Sequence, residues 1–244
     1  MADTSLSAGV LTTFENPTVL ADEVAGWLLR LALEAGDRFA VCLSGGSTPK
    51  TLYERLAQAP FREEFPWAKT HWFFGDERFV PDGDKDNNFT MASHALLSHV
   101  PVPKENVHRI VTEVSSPEQA ASAYDAELRR YYGAETLDAD RPLFDVNFLG
   151  LGPDGHTASL IPGQPILEER SKWVAAVSQG RPEVRITLTY PPLESSRHIA
   201  LLVTGKAKRD MLAHVRSGAT DVPAGGLATK GQVHWFTDRD AIDG

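Results

Sequence analysis

The chain of 244 residues contains one cysteine, Cys42. An intrachain disulfide is therefore impossible, and zinc sites built from several thiolates are excluded. Positive charge is scarce: 24 Lys and Arg stand against 33 Asp and Glu, for a formal net charge of −9. A general nucleic-acid binder carries a basic face, so that class is disfavoured. A local basic pocket for a small anion is still compatible with an acidic protein. No apolar run approaches the ~20 residues needed to span a bilayer. The opening MADTSLSAGV has no basic start followed by an apolar stretch, so it does not read as a signal peptide. A soluble cytoplasmic protein is the expectation, with no membrane or nucleic-acid partner. The oligomeric state stays open, and a monomer is compatible with the sequence. Internal repeats and low-complexity blocks are also missing.

What is present supports a globular core: 42% of residues are hydrophobic and 23% charged. Helical spacing of Leu20, Val24, Trp27, Leu28, Leu31 and Ala35 predicts a helix over 17–35, stopped by Gly36. Further helices are expected at 49–58, 87–100, 116–133 and 205–215. In the fourth, Ser116, Pro117 and Gln119 fit an N-cap, a first helical residue and the partner of a capping box. Buried strands are expected at 38–43, 70–75, 144–150 and 232–237, with WVAAV, EVRITLT and HIALLV as further candidates. Strands alternating with helices imply an α/β fold with a largely parallel sheet flanked by helices, Rossmann-like in class. One domain over 1–244 is expected, with room for a small subdomain.

Ligands of such sheets bind beyond the carboxyl ends of strands. Four polar segments fall there. In SGGSTP, the amides and the hydroxyls of Ser44, Ser47 and Thr48, with Gly45 and Gly46, can cradle a phosphate at a helix start. An ordinary capped turn is the competing reading. A loose likeness to a nucleophile elbow makes Ser44 a rival nucleophile, although the first glycine of that motif is missing. GDERF supplies Asp76, Glu77 and Arg78, and the arginine can stabilise an oxyanion or a phosphate. Arg185 follows in VRITLT. In TGKAKR, Lys206 begins a helix, a poor place for a cation unless an anion is near. Lys208 and Arg209 read as surface charge.

The remaining segment, GLGPDGHTASLIPG, holds a literal G-x-G-x-x-G: Gly150, Gly152 and Gly155. Pro153 removes an amide, Asp154 would repel a pyrophosphate, and Pro162-Gly163 truncates any following helix. A dinucleotide site is therefore rejected. The loop makes better sense as a chemical site. His156 can act as a neutral base near pH 7, and Asp154 can orient its imidazole. His94 and His99 lie five apart on one predicted helix, which does not suit two ligands on one face, and no metal site is expected.

Together LSGGSTPKTLYERL, FFGDERFVP with DNNF, FDVNFLGLGPDGHTASLIPG, RITLTYPPL, VTGKAKRDML and PAGGLATKG resemble the 6-phosphogluconolactonase family. They run from about residue 43 to 231. The resemblance implies the α/β fold shared with glucosamine-6-phosphate deaminases, no cofactor, and hydrolysis of 6-phosphoglucono-δ-lactone in the oxidative pentose phosphate pathway. The related deaminases carry a Glu five residues after the histidine, where this chain has Ile161, and D-E-Y where it has Asp76-Glu77-Arg78. On this reading the substrate phosphate sits on Ser44, Gly45, Gly46, Ser47 and Thr48 with Arg185 and Lys206. His156, oriented by Asp154, activates water, and Arg78 or loop amides receive the oxyanion. Asp76 is a site residue with an open role. A deaminase or isomerase, and a non-catalytic sugar-phosphate sensor, are the alternatives.

Overall fold

The structure, a computed structural model, describes residues 4–243. Its strands are β1 (Thr4–Ser5), β2 (Val10–Phe14), β3 (Phe39–Leu43), β4 (Thr70–Phe74), β5 (Asp76–Arg78) and β6 (Phe144–Leu149). After them come β7 (Val174–Val177), β8 (Arg185–Leu188), β9 (Ser196–Val203), β10 (Ala228–Thr229) and β11 (Gln232–Asp238). The helices are α1 (Pro17–Glu34), α2 (Ser47–Leu56), α3 (Phe61–Glu64), α4 (Asn88–Ala92), α5 (Pro117–Tyr132), α6 (Tyr190–Glu194) and α7 (Arg209–Arg216).

Six strands form one sheet in the order β2-β11-β9-β6-β3-β4, and every pair in it is parallel. The fold is thus a mostly parallel α/β sheet flanked by helices. Two smaller antiparallel sheets accompany it, β5-β8-β7 and β1-β10. EVRITLT therefore joins a separate sheet rather than the parallel one, and GDERF is a short strand rather than a loop.

Sequence explains the flanking helices. Asn16 Oδ1 accepts hydrogen bonds from the amides of Thr18 and Val19, both at 3.0 Å, and Pro17 occupies the first turn of α1. Leu20, Val24 and Leu28 then recur every fourth residue and are fully buried. Each such burial stabilises by roughly 1.5–3 kcal/mol. Trp27 packs on Phe148, His198, His234 and Phe236. On the opposite face, Tyr131 of α5 meets His71 and Phe73. Strand register places Phe148 and Phe73 on those two faces, because successive side chains alternate. Among the described residues, no helix is long and apolar enough to cross a membrane.

The chain runs from β3 outward to β4, then returns to the other side of β3 with β6. The switch point lies between β3 and β6, where a crevice opens at the strands' carboxyl ends. The four polar segments singled out from the sequence follow β3, β4, β6 and β9, which are consecutive in the sheet.

Candidate active site

These segments surround a cleft of about 260 Å³. Its walls include every residue from Ser44 to Pro49, together with Asp76, Arg78, His156 and Arg185. Asp154 does not line the cleft itself but touches His156, which does.

The loop after β6 is a closed turn. The Gly152 amide donates to the His156 carbonyl at 2.8 Å, and the Gly155 amide to the Gly152 carbonyl at 3.0 Å. Gly155 has φ +79°, a conformation that L side chains rarely adopt. No dinucleotide-type helix follows; residues 157–160 turn again, and the next helical element is only Pro165–Glu168. Within the turn, His156 Nδ1 lies 2.5 Å from Asp154 Oδ1. Arg181, from the connection between β7 and β8, donates to Asp154 Oδ2 at 2.6 Å and lies 2.9 Å from His156 Nδ1. Burial raises the Asp154 carboxyl pKa, but hydrogen bonds from His156 and Arg181 outweigh it and hold the group well below the carboxylate range. The ionised carboxylate can only accept, so Nδ1–H is the donor in this contact, and in the neutral imidazole the lone pair is then on Nε2. Arg181 carries no local signal in the sequence, because it stands 27 residues from Asp154, in a polar segment with no motif.

Cations gather on the other wall. Arg78 and Arg185 face each other in register across β5 and β8. The Nε atoms of both are buried without a partner. Burial, and then the charge of Arg78, lower the Arg185 pKa. Glu183, 3.2 Å from Arg185 Nη2, and Asp76 offset part of this like-charge repulsion, and a bound anion would offset more. Lys208 also lines the cleft, whereas Lys206 does not. After Gly205 the chain winds as a 3-10 turn over Lys206–Lys208. At three residues per turn, alternate lysines point in different directions. Lys208, read from the sequence as surface charge, is half-buried on the cleft wall, and Lys206, read as a phosphate contact, is exposed beside it. Lys208 is lowered by burial and partly restored by the nearby Asp154 charge.

The start of α2 opens on the same space. Its N-cap is Gly46, with no side-chain cap, which leaves first-turn amides available to an anion. Thr48 Oγ1 hydrogen-bonds Thr204 Oγ1 at 2.7 Å and ties this helix end to the loop that carries Lys208. The Tyr53 hydroxyl braces both the amide and the carbonyl of Ser44 at 2.9 Å. Ser44 Oγ donates to the Gly45 carbonyl at 3.2 Å and has no imidazole partner among the described residues.

The acidic pair of GDERF is buried, not solvated. Asp76 Oδ2 accepts from Ser159 Oγ at 2.6 Å, and Oδ1 from Asn88 Nδ2 at 3.2 Å. Glu77 accepts the amides of Arg78, Asn88 and Phe89 at 2.6–2.8 Å. Burial pushes its carboxyl up to about 7 despite those amides. Asn88 Oδ1 in turn holds Arg78 Nη1. Asn88 lines the cleft; it lies in the DNNF segment of the family resemblance, which assigns it no role.

This sheet, with its charged cleft at the switch point, belongs among the α/β enzymes that bind small ligands there. Residues 15–235 match the family model described as glucosamine-6-phosphate isomerases/6-phosphogluconolactonase. The chain is 38% identical over 205 residues to the 6-phosphogluconolactonase of Synechocystis sp., with 82% of each chain covered. It is 38% identical over 210 residues to the chloroplastic 6-phosphogluconolactonase 3 of Arabidopsis thaliana, covering 83% of this chain and 64% of that protein's length. The crystal structure of 6-phosphogluconolactonase from Thermotoga maritima superposes with a TM-score of 0.80 at 30% identity, over 94% of this chain and 99% of that one. The chain belongs to the 6-phosphogluconolactonase family.

Proposed function

We propose that this chain hydrolyses 6-phosphoglucono-δ-lactone to 6-phosphogluconate in the oxidative pentose phosphate pathway, with His156 as general base. The names of its relatives support the substrate. The observation that carries the chemistry is the 2.5 Å contact between His156 Nδ1 and Asp154 Oδ1 at the edge of a cation-lined cleft. Asp154 fixes the tautomer that leaves Nε2 basic, and Arg181 keeps Asp154 ionised and in place.

The phosphate dianion sits against the first turn of α2, with Arg78, Arg185 and Lys208 around it. Arg78 is assigned to the anion rather than to the oxyanion because it stands opposite Arg185 and its Nη1 is already engaged by Asn88 and by the Asp86 carbonyl. His156 Nε2 takes a proton from water while the water oxygen bonds to the lactone carbonyl carbon. The tetrahedral adduct then collapses, the ring C–O bond breaks, and the same proton passes from Nε2 to the leaving oxygen. Base catalysis of this kind supplies roughly 10²–10⁴-fold. A lactone is already reactive, so positioning can supply the rest.

A serine nucleophile is disfavoured because Ser44 Oγ meets only a backbone carbonyl. A deaminase is disfavoured because Ile161, buried at 3% exposure, stands where the deaminase relatives carry a carboxylate. The test is a lactone-hydrolysis assay of wild type and His156→Ala, corrected for spontaneous hydrolysis. Turnover should fall at least about 100-fold in the variant. Near-normal kcat in His156→Ala would remove His156 as the base, and ammonia release from glucosamine 6-phosphate would favour the deaminase.

A further inference from the structure

Thr157 follows His156 directly, lines the cleft and is 1% exposed. Its Oγ1 is buried and has no hydrogen-bond partner. An orphaned hydroxyl in a protein interior is unfavourable, and valine would fill the same space without that cost. Ala158, also on the cleft wall, has φ +46° although it is not glycine. Backbone held in that region persists only where its surroundings over-determine it.

The surroundings do so here. The Leu160 amide donates to the Thr157 carbonyl at 3.0 Å. The Ser159 amide donates to Thr187 Oγ1 at 3.1 Å, and Ser159 Oγ to Asp76 Oδ2 at 2.6 Å. Asp76 is itself gripped by Asn88. The turn is thus clamped from the β5–β8 sheet and from α4. The amides of Ser159 and Leu160 are used within it.

We propose that the Thr157 hydroxyl is the oxyanion donor of this enzyme, an inference that rests on the lactonase reading. As water oxygen bonds to the carbonyl carbon, the carbonyl π pair moves onto its oxygen, and Thr157 Oγ1–H donates to that oxygen. The proton lost by water resides on His156 Nε2 until the ring oxygen leaves. A donor adjacent in sequence to the base, on a turn clamped in place, needs no backbone reorganisation; only its covered hydroxyl must turn into the cleft that Thr157 lines. Asp76 is then a positioning residue: it acts through Ser159 by holding the turn that carries Thr157.

Thr157→Val and Thr157→Ser in the full chain test this. Steady-state lactone hydrolysis, thermal unfolding and calorimetric binding of 6-phosphogluconate would be measured for each. Removing one oxyanion donor should lower kcat by about 100- to 1,000-fold in Thr157→Val. KM and product affinity should stay near wild type, and Tm should be equal or higher, because the orphan is gone. Thr157→Ser should recover most of the loss. Wild-type kcat in Thr157→Val, a rise in KM alone, or an equal kcat loss in Thr157→Ser would each overturn the assignment. An inactive wild type, or a fully active His156→Ala, overturns the catalytic reading and this inference with it. A normal Thr157→Val beside a dead His156→Ala overturns this inference alone.

Discussion

A β-carbon on Gly152 would stand 1.9 Å from Nδ1 of His156. It would also lie 2.6 Å from Asp154 Oδ1. The glycine is required by the close approach of the acid–imidazole pair. Gly152→Ala should therefore displace the ring without unfolding the protein. A displacement near 1 Å at a reacting group costs on the order of 100-fold in rate. Kinetics beside a circular dichroism melt would check this, and a retained kcat would show that the pair does not need its present position.

Arg181 offers a test of electrostatics rather than sterics. It holds Asp154 Oδ2 and lies beside His156 Nδ1. In Arg181→Met the Asp154 carboxyl loses one of the hydrogen bonds that depress it. The carboxylate is then held by His156 alone and loses its fixed position beside the ring. Turnover should fall by about tenfold or more with little change in KM, because the base is misplaced. Arg181→Lys should restore part of it. Wild-type kcat in Arg181→Met would mean that Arg181 only packs.

Much of this molecule is legible from local chemistry alone. The stripe of Leu20, Val24 and Leu28 marks α1, and the polar strand-end loops mark the cleft. Ser116 does cap α5, accepting the Gln119 amide at 3.2 Å. The reciprocal half of the box differs: Gln119 Oε1 accepts from the amide and hydroxyl of Ser115, because that neighbour offers two donors. The helix expected at 87–100 is α4 followed by a π-turn over Ser93–Leu97. What escapes a local reading is long-range. Arg181 reaches the site from the connection between the paired strands β7 and β8, and Asn88 from α4 through its bonds to Asp76, Glu77 and Arg78, which no local period encodes. Lys206 and Lys208 carry the same charge two residues apart, so only the winding of the turn after Gly205 separates them.

That separation is itself testable. Lys208 lines the cleft and Lys206 does not. A charged hydrogen bond to phosphate is worth about 1.5–3 kcal/mol. Lys208→Ala should raise KM about 10- to 100-fold with a smaller effect on kcat, as expected when uniform binding is lost. Lys206→Ala should leave KM within about twofold. Inorganic phosphate, as a competitive inhibitor, should weaken in parallel with the first variant only. Equal effects of the two lysines on KM would refute the assignment of the phosphate to Lys208.

Stability should fall on mild acidification, for reasons remote from the cleft. His71 contacts His108, and His198 contacts His234, at 3.0 and 3.2 Å between ring nitrogens. Burial first, and the partner ring second, push His71 and His234 down to about 4. Burial also lowers His108 and His198, although Glu127 partly offsets it at His108. These folded-state values lie below the unfolded histidine value near 6.5. Above 6.5 both states are neutral and the folded protein loses nothing. Between about 6.5 and 4 the unfolded chain takes up protons that the folded rings refuse, so stability drops as pH falls. Glu77 works the other way: its carboxyl is raised to about 7, so its contribution is greatest in acid and is lost as pH rises through that value. With four histidines against one carboxyl, Tm should decline by several degrees from pH 7 to 5, since about 1 kcal/mol shifts Tm by 2–4 °C in a chain of this size. His71→Gln with His234→Gln should flatten that slope, and a slope unchanged by both would place the acid sensitivity elsewhere.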